Sequence, residues 1–269
     1  MEVTGLQWLV TILIIAGLLA FDFVFHVRKA NEPSVKEAAI WSSIYIGIAL
    51  LFGLYIFVTN GPSAATEFYA GYITEEALSV DNLFVFILIM SAFRVPRSFQ
   101  QKALLLGIAT ALVLRLLFIL AGAALVQHFS WVFYFFGAFL VYTAVRQILD
   151  ARKDEDTEED ATAYVDNSVT RCVRRLLPTT DGFVGNKLIH RHAGRTMITP
   201  LLIVVIALGT ADLMFAFDSI PAIFGLTSEP FLVFSATAFS LLGLRQLFFL
   251  IDGLLSRLVY LPYGLAVIL

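Results

Sequence analysis

Long apolar runs recur along this chain and restrict what it can fold into. A helix needs roughly 20 apolar residues to cross about 30 Å of hydrocarbon, and only helices or closed barrels satisfy their backbone hydrogen bonds there. Hydrophobic residues make up 59% of the 269 residues and charged residues only 14%. We therefore predict an all-α polytopic membrane protein with about eight spans, at residues 6–26, 39–58, 67–91, 103–126, 130–149, 198–221, 230–250 and from about 261.

Basic residues are confined to alternate loops, which sets the orientation of the spans. Lysine and arginine follow the first, third, fifth and seventh spans, and residues 60–66, 127–130 and 227–229 contain neither. We therefore expect the N-terminus outside. The first run lacks a basic flank and a cleavage site, so we expect a retained span rather than a signal peptide.

The same pattern divides the chain into three parts. We expect a first membrane half at 1–149, a cytoplasmic segment at 150–197 and a second membrane half at 198–269. The last apolar run reaches Leu269 without a polar flank. We expect this final span to be truncated and a ninth to be possible in a longer chain.

Two acidic motifs inside these apolar runs resemble each other. Residues 75–86 read EEALSVDNLFVF and residues 212–223 read DLMFAFDSIPAI. Two acids and a small polar residue align in pairs: Glu75 with Asp212, Asp81 with Asp218, and Asn82 with Ser219. The two spans run in opposite directions, which predicts an inverted repeat with a site near the bilayer midplane.

The side chains of these motifs favour a cation site. On a regular helix Glu75, Ser79 and Asn82 share one face, as do Asp212, Ala216 and Ser219. Carboxylates, a carboxamide and a hydroxyl are hard oxygen donors, which suit Mn²⁺, Ca²⁺ or Mg²⁺. Pro221 removes a backbone hydrogen bond, which we expect to free a carbonyl near Phe217. We expect the four histidines to be interfacial or solvated rather than ligands.

Arginine pairing is the alternative explanation for these acids. A carboxylate at the bilayer centre costs about 2.5–3.5 kcal/mol on insertion scales, so each acid needs compensation. Arg146 and Arg245 are expected to reach the interface from their span ends, which leaves Arg115 as the central cation. We interpret Arg115 as a counter-charge for the empty site. Asp22 belongs either to the ion path or to the interface.

The chain resembles the TerC family of integral membrane proteins. The resemblance rests on ExxLSVDNLFVF at residues 75–86, AFDSIPAIF at 216–224, FHVRKA at 25–30 and PTTDGF at 178–183. It implies a multi-pass protein of the bacterial inner membrane, linked by name to tellurite resistance and related to LysE-type exporters. It implies export of manganese or a related metal, with a proposed metal site at Glu75, Ser79, Asp81, Asn82, Asp212, Asp218 and Ser219.

The cytoplasmic segment leaves several roles open. Residues 164–177 read as a short amphipathic helix at the membrane surface, and 187–191 with 195–199 as a β-hairpin. A gate, a docking surface for a protein partner and bare connection remain alternatives.

Three classes of function follow from these patterns. We expect an exporter without a tightly bound cofactor, driven by a gradient such as proton exchange, since no Walker motif occurs. An adaptor for metallation or for secretion and stress machinery is the alternative, and an intramembrane aspartyl-type enzyme is the third class. We predict a divalent ion and the lipid bilayer as partners, and no nucleic acid.

Overall fold

The computed structural model describes residues 3–27, 33–129, 131–150, 178–180, 182–192 and 195–258. These residues form seven α-helices and one antiparallel two-stranded sheet. In chain order the elements are α1 Gly5–Asp22, α2 Val35–Asn60, α3 Pro62–Ala92, α4 Arg97–His128, α5 Val132–Asp150, β1 Ile189–His192, β2 Arg195–Ile198, α6 Pro200–Phe224 and α7 Pro230–Leu258. A π-helical turn, Phe23–Val27, continues α1.

Capping residues and prolines define where the helices begin. Thr4 and Gln7 form a reciprocal capping box at the start of α1, and the Ser34 side chain accepts a hydrogen bond from the Glu37 backbone N–H at the start of α2. Three helices, α3, α6 and α7, begin with a proline. Proline suits the first helical position because its backbone needs no hydrogen-bond donor there.

Five of the described helices are long and apolar enough to cross a membrane: Gly5–Phe25, Val35–Asn60, Arg97–Val126, Pro200–Phe224 and Pro230–Leu255. Helix α3 has 31 residues, about 46 Å at 1.5 Å per residue, but its four acids lower its hydropathy. The apolar part of α5 is only Tyr134–Thr143. The multi-pass class is confirmed and the number of eight spans is not. The span expected from residue 261 lies outside the described residues.

Contacts between helix ends show the direction of each helix. At one end, Glu67 near the start of α3 accepts a hydrogen bond from Thr227, just beyond the end of α6. At the opposite end, Arg97 at the start of α4 approaches Asp252 near the end of α7 at 3.9 Å. Helices α3 and α6, which carry the two acidic motifs, therefore run antiparallel.

Helix α7 occupies the centre of the bundle and packs most extensively against α2 and α3. Residues 231–246 are all buried. This helix is apolar around most of its circumference, so it can be buried on all sides. Its Phe239 ring lies 4.5 Å from the Phe52 ring and 6.4 Å from the Phe68 ring, centroid to centroid. Helix α1, by contrast, exposes many large apolar side chains, as expected of a helix that faces lipid.

The predicted β-hairpin is confirmed to within two residues at each end. Ile189 pairs with Ile198 and His192 with Arg195. The Thr199 hydroxyl donates to the Lys187 carbonyl at 2.7 Å, and Lys102 of α4 donates to the Asn186 carbonyl. These contacts fasten the hairpin to the start of α4 and α6. The predicted amphipathic helix at 164–177 lies outside the described residues.

Candidate functional site

Arg115, in the middle of α4, is fully buried and holds two of the motif acids. Its Nε donates to Asp212 Oδ2 at 2.8 Å and its Nη2 to Asp212 Oδ1 at 3.0 Å. Its Nη1 forms an ion pair with Glu75 and lies 3.4 Å from Ser219 Oγ. Bidentate pairing of this kind fixes geometry as well as charge. Arg115 thus pairs with Glu75 and Asp212, as the arginine-pairing explanation expects for these two acids. Its role as a counter-charge for an empty ion site stays a prediction.

The Arg115 cluster is not electrically balanced. One guanidinium faces two carboxylates, Glu75 and Asp212, so the cluster carries a net charge of about −1 when both acids are ionised. Glu75 Oε2 is buried and has no hydrogen-bond partner among the described residues. A buried carboxylate oxygen without a donor is costly, so this oxygen is available to a further cation or proton.

A separate cavity of about 120 Å³ lies between α3 and α6. Asp81 and Asn82 line it from α3, and Asp218 and Ser219 line it from α6, with Leu78 and Phe215 as its apolar walls. Asp81 is exposed and Asp218 is partly exposed. Within the described part of the chain, neither carboxylate makes a hydrogen bond or an ion pair. At roughly 30 Å³ per water, the cavity has room for a cation with a few waters.

The six lining residues form three aligned pairs. Leu78 corresponds to Phe215, Asp81 to Asp218 and Asn82 to Ser219 in the alignment of the two motifs. The remaining aligned acids, Glu75 and Asp212, meet on Arg115. Both copies of the motif therefore contribute equivalent positions to the same two places in the structure.

The shared helix faces expected from the spacing are confirmed. Glu75, Ser79 and Asn82 are all buried on α3, and Asp212, Ala216 and Ser219 are all buried on α6. The six-residue spacing turns Asp81 and Asp218 away from that face, toward the cavity. Helix α6 continues through Pro221 to Phe224 without interruption, so no unwound segment accompanies the site.

Ser79 joins a different polar group from the one expected. Its hydroxyl lies 3.3 Å from Ser240 Oγ of α7, and Ser240 donates to Glu76 Oε2 at 2.8 Å. Ser79 is not among the residues that line the cavity. Sequence reasoning missed Ser240, although Ser235, Thr237 and Ser240 are small polar residues within an apolar span, which is a usable signal.

Arg245 is buried rather than interfacial, which corrects the expectation that it reaches the membrane surface. It is 2% exposed, and its Nη2 donates to Asp22 Oδ1 at 2.7 Å. Tyr45 of α2 also hydrogen-bonds Asp22. The reason is that α7 runs through the bundle centre, so its arginine has no route to the surface. Asp22 therefore belongs to the interior and not to the interface.

A repeated pattern around the two buried arginines was available in the sequence. Residues 112–120 and 242–250 both read LxLRxLFxL, with Arg115 and Arg245 at the same position. Each pattern follows one of the acidic motifs along the chain. This repeat places the two arginines at equivalent positions, and it was a usable signal that Arg245 shares the buried environment of Arg115. The position of Arg245 near a predicted span end concealed that signal.

The seven predicted metal-site residues are thus distributed over more than one place. Glu75 and Asp212 contact Arg115, Ser79 contacts Ser240, and Asp81, Asn82, Asp218 and Ser219 line the cavity. Ser219 connects the first and last of these groups, since it also lies near Arg115 and 3.5 Å from Glu75. Among the residues that the structure describes, three or more His, Cys, Asp or Glu side chains do not converge at metal-binding distance.

The fold and this site define a multi-pass integral membrane protein with a charged network inside its helical bundle. The family model for the integral membrane protein TerC family matches residues 60–269. This match covers most of the chain, so the chain belongs to the TerC family.

Known relatives agree with that membership. The chain is 52% identical over its whole length to "Uncharacterized membrane protein Rv2723" of Mycobacterium tuberculosis and covers 67% of that protein. It is 40% identical over 263 residues to a membrane protein of Myxococcus xanthus, STKORF319, with 97% of this chain and 80% of that protein covered. It is 37% identical over 275 residues to "Putative membrane-bound redox modulator Alx" of Escherichia coli, covering 99% of this chain and 84% of the relative. No solved structure matches the chain.

Proposed function

We propose that this protein exports a divalent metal cation, Mn²⁺ by preference, through the cavity between α3 and α6. The cavity supports this function most directly because two carboxylates without cationic partners among the described residues, Asp81 and Asp218, line it together with a carboxamide and a hydroxyl. Two ionised carboxylates would balance a divalent charge, and all four groups offer the oxygen ligands that Mn²⁺, Ca²⁺ and Mg²⁺ accept. The family resemblance favours Mn²⁺ within this set.

An inverted repeat accounts for the placement of the acids. Aligned residues of two antiparallel helices lie around one cavity and on one arginine, and the arginine pattern is itself repeated on α4 and α7. Transporters built this way place their substrate site between the repeats and alternate access by moving one repeat against the other. We place the site near the bilayer midplane.

Arg115 acts in this proposal as a displaceable counter-charge. It neutralises part of the Glu75 and Asp212 charge in the absence of a metal ion, and Ser219 lies between that cluster and the cavity. A cation that moves from the cavity toward Glu75 competes with the guanidinium for the same oxygen atoms. Release of a proton or of the Arg115 side chain from these two acids would then link ion binding to a change in the packing of α4 against α3 and α6.

Orientation and coupling complete the proposal. Basic residues in alternate loops favour an N-terminus outside the bacterial inner membrane, which makes segment 150–197 cytoplasmic and available to protein partners. The carboxylates can exchange a metal for protons, so a proton gradient is a suitable energy source. This activity needs no tightly bound cofactor and no enzymatic step.

Metal flux in proteoliposomes tests the proposal. We expect saturable Mn²⁺ transport by the unaltered chain. Asp81→Asn or Asp218→Asn removes one of two charged oxygen ligands and should reduce transport at least about tenfold, which corresponds to about 1.4 kcal/mol of ion affinity. Glu37→Gln is the matched control, since Glu37 lies exposed in the first turn of α2. The control should transport normally, and all variants should elute as folded protein.

Two results would contradict this function. Absence of flux for Mn²⁺, Ca²⁺ and Mg²⁺, with the aspartates still required in cells, would favour an adaptor or an intramembrane aspartyl enzyme. Normal flux in the double variant Asp81→Asn, Asp218→Asn would exclude the cavity as the cation site.

A further inference from the structure

A second and larger cavity lies at the end of the bundle where α3 passes into α4. Its volume is about 440 Å³, within the range of small-molecule sites. Arg94 and Arg97 line it from the α3–α4 connection, and Asp252 lines it from α7. Ile87, Met90 and Phe248 form its apolar wall. The cavity therefore combines a net positive mouth with an apolar side that continues into the membrane-spanning helices.

The backbone holds Arg94 in an unusual conformation at this mouth. Its φ is 49°, the only positive φ of a non-glycine residue in the described part of the chain. Backbone hydrogen bonds from Arg94 N to the Ser91 carbonyl and from Val95 N to the Met90 carbonyl close the turn. These two bonds form the Schellman motif, in which a left-handed residue ends a helix. The turn therefore fixes the point at which the Arg94 side chain leaves the backbone beside the cavity.

The two arginines are incompletely neutralised. Arg94 is exposed and makes no ion pair within the described residues. Arg97 approaches Asp252 at only 3.9 Å, and its side chain remains 58% exposed. Among the described residues that line the cavity, one acid against two guanidinium groups gives a charge of about +1, because arginine keeps its proton in proteins. Guanidinium groups in this setting bind phosphate oxygen atoms through paired hydrogen bonds.

We propose that this cavity binds the phosphate of an anionic phospholipid, with the lipid's glycerol and acyl chains against Ile87, Met90 and Phe248. A metal cation is a poor occupant because the net charge is positive. A free phosphate leaves the apolar wall and most of the volume uncovered. The cavity lies at the ends of membrane-spanning helices, where lipid headgroups meet the protein and basic side chains attract anionic lipids. The site is distinct from the α3–α6 cavity and does not depend on transport.

Binding of short-chain lipids to the full chain in detergent tests this site. The probes are dioctanoyl phosphatidylglycerol, dioctanoyl phosphatidylcholine and inorganic phosphate, titrated while protein fluorescence or heat is measured. We expect the anionic lipid to bind more tightly than the zwitterionic one. The double variant Arg94→Gln, Arg97→Gln should weaken anionic-lipid binding about 25-fold, at about fivefold per basic residue. Glutamine at position 94 carries no more backbone strain than arginine.

Two further variants make the test specific. Lys36→Gln, Lys187→Gln removes the same charge from exposed residues that do not line the cavity, and it should bind the lipid normally. Asp252→Asn removes the acid that competes for Arg97 and should tighten binding of the anionic lipid about fivefold.

Several results would overturn the proposal. Equal weakening by the lysine control would mean that only general charge is sensed. Equal affinity for both lipids, or no effect of the arginine double variant, would exclude recognition at this cavity. Inorganic phosphate that binds as tightly as the anionic lipid would identify a soluble anion as the ligand instead.

Discussion

Replacing Arg115 with glutamine removes the only cation that contacts Glu75 and Asp212 among the described residues. The native cluster has one positive and two negative groups, and the variant retains only the two negative ones. Asp212 loses two short hydrogen bonds from Nε and Nη2, and Glu75 loses its ion pair. Two buried carboxylates then face each other's charge without a donor that matches their geometry.

The expected cost is large. Removing one partner of a buried ion pair typically costs about 3–5 kcal/mol. At about 2–4 °C per kcal/mol for chains near this size, the melting temperature should fall by roughly 6–20 °C. We expect Mn²⁺ to restore part of this loss, because a divalent cation can take the place of the guanidinium between the two acids.

Thermal unfolding of the purified protein in detergent, followed by the fluorescence of its tryptophans, measures this effect. The double variant Arg115→Gln, Asp212→Asn returns the cluster to a net charge of about −1 and should recover a substantial part of the lost stability. Arg115→Gln, Asp81→Asn is the matched control: it removes the same charge, but Asp81 lines the α3–α6 cavity and does not contact Arg115.

Equal recovery by both double variants would show that total charge matters and that the Arg115–Asp212 contact does not. A melting temperature unchanged by Arg115→Gln would refute the buried ion pair itself. Stabilisation of the native chain by Mn²⁺ without any additional gain in the variant would refute competition between metal and arginine.

Two other perturbations follow from the same packing. Asp22→Asn leaves Arg245 buried without its carboxylate partner, so the free energy of unfolding should fall by about 3–5 kcal/mol when measured by chemical denaturation. Asp252→Asn breaks an exposed ion pair and should cost under about 1 kcal/mol. Similar losses in the two variants would contradict the role of burial. Gly107→Ala places a Cβ 3.0 Å from the Leu208 Cβ, whereas Gly17→Ala meets nothing within 4 Å. Both variants gain the same helix propensity, so overpacking should leave Gly107→Ala less stable than Gly17→Ala by about 1–3 kcal/mol. Equal stability of the two variants would show that α4 and α6 separate freely.

Some features of this protein follow from local sequence and could be predicted without a structure. Apolar runs long enough to cross a bilayer predict membrane helices, because a helix pairs all of its own backbone hydrogen-bonding groups in lipid, where no water can pair them. The 3.6-residue period correctly placed Glu75, Ser79 and Asn82 on one buried face. A β-hairpin was predicted from residues 187–191 and 195–199, and the strands form at Ile189–His192 and Arg195–Ile198. Each of these depends on residues close together in the chain.

The pairing of charges depended on tertiary structure. Arg245 lies 223 positions from Asp22, and the sequence placed the arginine near a span end, where an interfacial position is the usual outcome. Only the central position of α7 encloses it. Similarly, the alignment grouped Glu75, Asp81, Asp212 and Asp218 as one set, and the rotation of α3 and α6 about their axes separates them into an arginine cluster and a cavity.

The sequence by itself determined that acids had to lie inside a helical membrane bundle and that each needed compensation. It could not determine which acid meets an arginine and which remains open to a cation. That distinction arises from helix rotation and from which helix occupies the centre. Successive side chains on a helix lie about 100° apart around its axis. The rotation of the whole helix about that axis therefore decides which carboxylate meets Arg115 and which lines the cavity, and only packing among distant helices sets this rotation.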